Sequence, residues 1–298
     1  MTSDWRNWQD FRAAQQEMVL PADTVAHIPL TIRYVDRGAA QRGTILLMHG
    51  IPTWGYLYHA VIPVLVEAGY RVLAPDFLGH GWSDRRDRFD RSFQDQARMI
   101  TAFLSALELS QVDVVGHDTG GAVALILAIE QAARVNRLVI TNSVCYDRFD
   151  DDMLDFGHPL RWQARPVSDL VAALEASLAA GLSNPSQLTP EFREGIIAPW
   201  ASEEGKLSLL RNAAALNANQ TMALVDRHGD IAAPTLILWA MDDPWQKSED
   251  GQQLASEIPG ARFQAIEGAS HWVQQDAPEQ FSQALLAFFE NSTAQQQR

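Results

Sequence analysis

Residues 112–122 read Val112-Asp113-Val114-Val115-Gly116-His117-Asp118-Thr119-Gly120-Gly121-Ala122. A short Val-rich run, read as a strand over Val112 to Gly116, enters a Gly-x-Asp-x-Gly turn, and a helical stretch leaves it. The glycines have a physical job. So tight a turn needs neighbours without bulk, and it throws the central side chain out above the sheet edge. The usual occupant of such a centre is serine; here it is Asp118. That change decides the chemistry. A seryl oxygen attacks acyl carbon, and at saturated carbon it would end as an ether. A carboxylate displaces a leaving group from saturated carbon and forms an alkyl ester, which water reopens at the carboxyl carbon. The turn points to displacement at sp³ carbon, with halide or an epoxide oxygen leaving. The plainer reading of Asp118 is a helix cap that happens to follow glycine.

Outward from this turn, short apolar runs alternate with helical stretches. The other strand candidates are Thr44 to Met48, Arg71 to Pro75, Arg137 to Thr141, Pro234 to Trp239 and Arg262 to Ile266. Near-continuous Val/Ile/Leu runs are those of strands covered on both faces, as in a parallel α/β sheet. Phe93 to Leu107, Ala122 to Gln131 and Glu279 to Glu290 read as helices. In the last, Phe281, Leu285, Phe288 and Phe289 recur at helical spacing. The tail Asn291 to Arg298 is polar and is expected to fray. From about Tyr146 to Arg227 no buried strand is legible, only amphipathic helices, Pro-rich joints and several tryptophans. Such an interval reads as a helical cap over the C-terminal edge of the sheet. There is no internal repeat.

Partners for Asp118 lie at other strand ends. His271, in Glu267-Gly268-Ala269-Ser270-His271-Trp272, follows the last strand and is placed to activate water. Asp243, in Leu238-Trp239-Ala240-Met241-Asp242-Asp243, would hold the imidazole and stabilise its charged form. Asp242 competes for that role, and spacing to the strand favours Asp243. The turn His49-Gly50-Ile51-Pro52 aims the Ile51 N–H at a developing oxyanion, and the Thr119 N–H is the second donor. His49, Pro52 and His117 read as turn architecture and packing.

Composition closes other routes. The 298 residues carry 23 Lys+Arg against 37 Asp+Glu, a formal charge of −14. So acidic a chain has no electrostatic footprint for nucleic acid or anionic membrane. Hydrophobic residues at 47% supply a real core. The single cysteine, Cys145, makes neither an internal disulfide nor a thiolate metal site. The N-terminus lacks an apolar segment of the secretory kind, and apolar runs are too short to span a bilayer. A cytoplasmic protein is expected. A phosphate loop and a helical His/Cys pair at metal-ligand spacing are both missing, so neither a cofactor nor a metal is expected.

Together these motifs resemble the α/β-hydrolases of the haloalkane dehalogenase and epoxide hydrolase branch. Pro75-Asp76-Phe77-Leu78-Gly79-His80-Gly81-Trp82-Ser83-Asp84 adds to the likeness, which runs from about Ile28 to Phe289 in the order nucleophile, acid, histidine. The resemblance implies an α/β-hydrolase fold: a mostly parallel sheet flanked by helices, with a helical cap inserted after the sixth strand. Residues 1–145 and 228–298 form the core domain and 146–227 the cap. It also implies a catalytic set of Asp118, His271 and Asp243, with no cofactor.

The positions that read substrate depart from the well-known subgroups. Thr119 stands where haloalkane dehalogenases usually carry a halide-holding Trp, and Ile51 where many carry Asn. The arginines that hold carboxylate in fluoroacetate dehalogenases are replaced by Thr119 and Ala122. The cap tyrosines of epoxide hydrolases are reduced to Tyr146, at the cap entrance. Trp54, Tyr146, Trp162, Trp200 and Trp245 are the candidate pocket residues, with Gln246 near the mouth. The cluster His158, Arg161, Trp162 and Arg165 reads either as an anion pocket or, preferably, as a solvated helix face. Carbon–halogen cleavage leads, because halide leaves without an acid. Epoxide opening is the alternative. Ester or lactone hydrolysis and a non-catalytic binder are further alternatives. The expected partners are a small organic substrate and water, and the chain would be a monomer or homodimer.

Overall fold

The computed structural model describes residues 5–296. Eight strands form one sheet: β1 (Gln16–Leu20), β2 (Leu30–Arg37), β3 (Thr44–Met48), β4 (Arg71–Pro75), β5 (Val112–Asp118), β6 (Val135–Ser143), β7 (Thr235–Ala240) and β8 (Arg262–Ile266). Their order is β1-β2-β4-β3-β5-β6-β7-β8. β1 pairs β2, and β2 pairs β4, antiparallel; every other pairing is parallel. The six expected strands are present. β1 and β2 were not legible because they form an antiparallel edge. β1 buries only Leu20 and leaves Val19 exposed, so it lacks the continuous apolar run of a central strand. β3 and β5, by contrast, are buried at every residue.

The helix Thr119–Glu130 is buried from Thr119 to Ile129, since it is enclosed by the sheet and by the helix Phe93–Ala106. The latter opens on Ser92, whose Oγ accepts the Asp95 N–H at 3.2 Å. The C-terminal helix runs Pro278–Gln296, so residues 291–296 of the tail expected to fray continue it, and the last two, Gln297 and Arg298, lie outside the described residues.

Between β6 and β7 the chain is helical, with no strand among the described residues. Its main helices are Asp151–Phe156, Val167–Ala180, Pro190–Ile197 and Glu203–Ala214. They are pinned to loops that follow the C-terminal ends of β3, β4 and β8. The Trp200 Nε1–H donates to Pro52 O at 2.7 Å, and Trp54 Nε1–H donates to Gly195 O at 2.8 Å. Asn212 Nδ2 reaches Gly79 O at 2.8 Å, and the Trp272 N–H reaches Gly181 O at 3.0 Å. Glu257 ties both ends of the insertion to the sheet layer. Its Oε2 accepts the Tyr146 hydroxyl at 2.7 Å and lies 2.7 Å from His228 Nδ1.

Candidate active site

β5 ends on Asp118 and the next helix begins on Thr119, so the reversal falls on a single residue. Asp118 has φ 53° and ψ −124°, a region that side-chain-bearing residues rarely occupy, at a cost of about 1–3 kcal/mol. Three glycines make room for it. A Cβ on Gly120 would stand 2.4 Å from Met48 O, and one on Gly116 2.5 Å from Gly120 O. One on Gly121 would stand 1.9 Å from Ser143 Oγ. That hydroxyl donates to Asp118 O at 2.8 Å and fastens the turn to β6.

The Asp118 carboxyl is buried, and among the described residues no cation hydrogen-bonds to it. The Ile51 N–H donates to its Oδ1 at 2.7 Å, and the neighbouring Thr119 N–H favours its charged form. Gly50 permits this approach, since a Cβ there would lie 2.0 Å from Oδ1. Burial raises the Asp118 pKa to about 6; His271 and the two N–H donors pull the other way without cancelling it.

His271 is 2% exposed, and its Nδ1 lies 2.8 Å from Asp243 Oδ2. Asp243 Oδ1 accepts the Trp245 and Gln246 N–H groups at 2.8 and 2.9 Å. An acceptor so fully occupied stays ionised. Burial works to raise the Asp243 pKa, but His271 and these donors outweigh it and the net shift is down. For His271 burial works to lower the pKa, while Asp243, Asp118 and Asp150 outweigh it and hold it above the ordinary imidazole value. Asp243 rather than Asp242 is the partner: Asp242 is exposed and its Oδ2 takes the Ser183 hydroxyl at 3.0 Å.

Sequence reasoning missed Asn142. It is fully buried at the end of β6, with φ 38°, and its Nδ2 donates to Asp243 Oδ2 at 2.8 Å. Its Oδ1 accepts the Ala240 N–H at 2.9 Å, which fixes the amide so that only Nδ2 can face the carboxylate. A polar Asn closing an apolar strand was the available signal.

A small cavity of about 20 Å³, the room of one water, lies between Asp118 and His271. Thr119, Trp245, Gln246 and Trp272 line it, and the insertion adds Asp150, Met153 and Ser177. Asp150, chiefly through burial, has its pKa raised. Trp245 stands edge-on to the His271 ring at 5.0 Å, as expected of a pocket residue. Four expected pocket residues lie elsewhere. Trp54 and Trp200 are fully buried pillars whose N–H groups hold the insertion down. Trp162 donates to Asp155 Oδ2 at 2.9 Å and packs on Phe156, and Tyr146 turns to Glu257. Each is an amphipathic aromatic whose polar tip found a structural acceptor. The polar residues around Trp162 pair locally, Arg161 with Asp155 and Arg165 on the Trp162 ring, and His158 is exposed.

His49 serves the turn. Its Nδ1–H donates to Gly50 O at 2.8 Å, Nε2 accepts the Phe77 N–H at 3.0 Å, and burial lowers its pKa to about 4. His117 donates from Nε2 to His271 O at 2.9 Å and braces the histidine loop.

A family profile described as the alpha/beta hydrolase fold matches residues 43–278. A haloalkane dehalogenase of Mycolicibacterium paratuberculosis is 30% identical over 274 residues, covering 87% of this chain and 88% of that protein. An alpha/beta hydrolase fold protein from Burkholderia ambifaria superposes with a TM-score of 0.81 at 26% identity, covering 87% of this chain and 94% of that one. An epoxide hydrolase superposes with a TM-score of 0.79 at 21% identity, covering 93% and 99%. The chain belongs to the alpha/beta hydrolase fold family, has haloalkane dehalogenases among its relatives, and is a hydrolase.

Proposed function

We propose that the chain is a cofactor-free hydrolase that cleaves a carbon–halogen bond through an ester on Asp118. The observation that carries this reading is the carboxylate at the elbow, which takes the Ile51 N–H and lies beside the His271–Asp243 pair. One Asp118 oxygen attacks the carbon; the C–O bond forms as the C–X bond breaks and halide leaves with the pair. The oxygen already held by the Ile51 N–H becomes the ester carbonyl. Water attacks the Asp118 carboxyl carbon while His271 Nε2 takes its proton, and charge on that carbonyl grows where the donors stand. Collapse breaks the acyl C–O bond. The product alcohol leaves with an Asp118 oxygen and a proton from His271, and the Asp118 carboxyl, now holding the water oxygen, releases the other water proton to solvent and is again a carboxylate.

The insertion 146–227 acts as the cap of this site and supplies its upper wall, with residues 1–145 and 228–298 as the core domain. The substrate is a small organic molecule and water is its co-substrate, in the cytoplasm, with the chain acting as a monomer or homodimer. The 30% identity to a haloalkane dehalogenase supports carbon–halogen cleavage. A second reading, epoxide opening, is favoured by Asp150. It puts a carboxyl with a raised pKa on the cavity wall, a proton source for an oxide oxygen.

The test is intact-protein mass spectrometry of His271→Ala after incubation with pooled halogenated, epoxide and ester compounds. Without its base the protein should alkylate itself and stop. An added alkyl mass with halide released supports dehalogenation. An adduct retaining a whole epoxide moves the reading to epoxide hydrolysis. Ester turnover by the parent protein with no adduct from any pool would sink displacement altogether.

A further inference from the structure

A second cavity adjoins the first. It also measures about 20 Å³, and it shares Ile51, Thr119 and Leu216 with its neighbour. Much of its wall comes from the stretch after β4, including His80 and Arg91. Two polar atoms of these residues are buried without a hydrogen bond, His80 Nε2 and Arg91 Nε. His80 is 6% exposed.

The other bonds of each residue fix what these atoms offer. His80 Nδ1 lies 3.2 Å from Leu78 O. A carbonyl only accepts, so Nδ1 carries the ring proton. Burial, reinforced by neighbouring His49, holds the ring well below the ordinary imidazole pKa, so it is neutral. Nε2 is therefore a bare acceptor. Arg91 offers the Nε–H donor. Its Nη1 is engaged by Asn212 Oδ1 and by Ser208 Oγ at 3.1 Å, and its Nη2 by Arg85 O at 3.1 Å. These uncharged acceptors hold the guanidinium in place.

One unpaired donor and one unpaired acceptor on residues that line a water-sized space are the complement of a hydroxyl group. A halide or carboxylate would satisfy Arg91 and face the His80 lone pair. An ammonium would face the guanidinium. An alkyl group would leave both atoms unpaired. The geometry points to this lobe as a hydroxyl-recognition subsite, which takes a hydroxyl that the substrate carries a few bonds from the carbon attacked by Asp118. The substrate class becomes a hydroxylated haloalkane. This rests on the displacement reading of Asp118.

The test compares ω-bromoalkan-1-ols with 1-bromoalkanes of matched, increasing chain length, read as bromide release. Unreactive α,ω-alkanediols and the matching n-alcohols are run beside them as thermal-shift ligands. At one chain length the bromoalcohol should show a KM about tenfold below its bromoalkane at similar kcat. The diol of that length should stabilise the protein more than the n-alcohol does. In His80→Leu the KM ratio should fall to about one. Should that variant fail to fold, the wild-type comparison still decides. Bromide release with no preference at any length and no diol stabilisation would overturn the subsite, leaving it to water, with the displacement reading intact. A preference that survives in His80→Leu would overturn it as well. Diol stabilisation without bromide release from either series would keep the subsite and remove the displacement reading.

Discussion

Strand β5 carries two buried carboxylates five residues apart, and they live opposite lives. At its start, Asp113 receives the Arg137 guanidinium on both oxygens, Nε to Oδ1 at 2.7 Å and Nη2 to Oδ2 at 2.5 Å. Asn136 Nδ2 adds a third bond at 2.7 Å. At its end, Asp118 takes the Ile51 N–H and, among the described residues, no hydrogen-bonded cation. The first carboxylate is neutralised and locked. The second keeps a buried charge within reach of His271 and bends the backbone to present it. One strand thus anchors the sheet at one end and, in the proposed function, stores reactivity at the other. Reactivity here means a charge left undercompensated by its surroundings.

The largest expected effect separates the two ends. Asp118→Asn should lower turnover by about 10⁴-fold or more, because an amide does not displace halide. The same change should raise the thermal midpoint by roughly 2–5 °C, since it removes a poorly solvated charge. A melting scan beside a halide-release assay checks both signs. Loss of stability together with activity would show that Asp118 is a structural cap.

Arg137→Met should do the reverse. It strands Asp113 as a buried unpaired charge and should cost about 3–5 kcal/mol of stability, measured by urea unfolding. Turnover per folded molecule should be nearly unchanged. A specific loss of turnover would mean that the anchor and the elbow are coupled along the strand.

Asn142→Ala should lower kcat about 10- to 100-fold, the worth of one charge-assisted hydrogen bond to Asp243. It should also change the pH dependence of ester hydrolysis, because Asp243 would hold His271 less firmly. An unaltered pH profile would reduce Asn142 to packing.

The pH dependence of the wild type follows from the two shifts. Burial raises Asp118 to about 6, so its nucleophilic form is present above that value and halide release falls below it. His271 must be neutral to take a proton, and Asp243 holds its pKa above the ordinary imidazole value despite burial. Between these two values alkylation should outrun hydrolysis. A burst of halide in excess of alcohol should appear in that window and vanish at higher pH. The absence of any burst would place hydrolysis ahead of alkylation throughout.

The smallest effect concerns Tyr146→Phe. Losing the bond to Glu257 should cost about 1 kcal/mol of stability and leave kcat and KM alone. A changed KM would return Tyr146 to the pocket.

The elbow was legible because its requirements are local. Glycines around Asp118 are demanded by contacts that any tight strand-to-helix turn makes, and buried parallel strands announce themselves by apolar runs. His271 and Asp243 were legible by their place after strand ends. The tryptophans were not. Trp54, Trp162 and Trp200 look alike in sequence to Trp245, yet their N–H groups found acceptors at Gly195, Asp155 and Pro52 and became supports. Which partner a side chain meets is set by how helices distant in sequence pack, and no local pattern encodes that. The same holds for Asn142 and Arg91, whose partners Asp243, Ser208 and Asn212 lie far away in sequence. The sequence by itself determined the layer order, the reversal at Asp118 and the residue types that could react, because short-range sterics and periodicity decide those. Only the tertiary structure decided which carboxylate is neutralised, which aromatics face the cavity and which polar atoms remain unpaired, because burial and long-range pairing decide those.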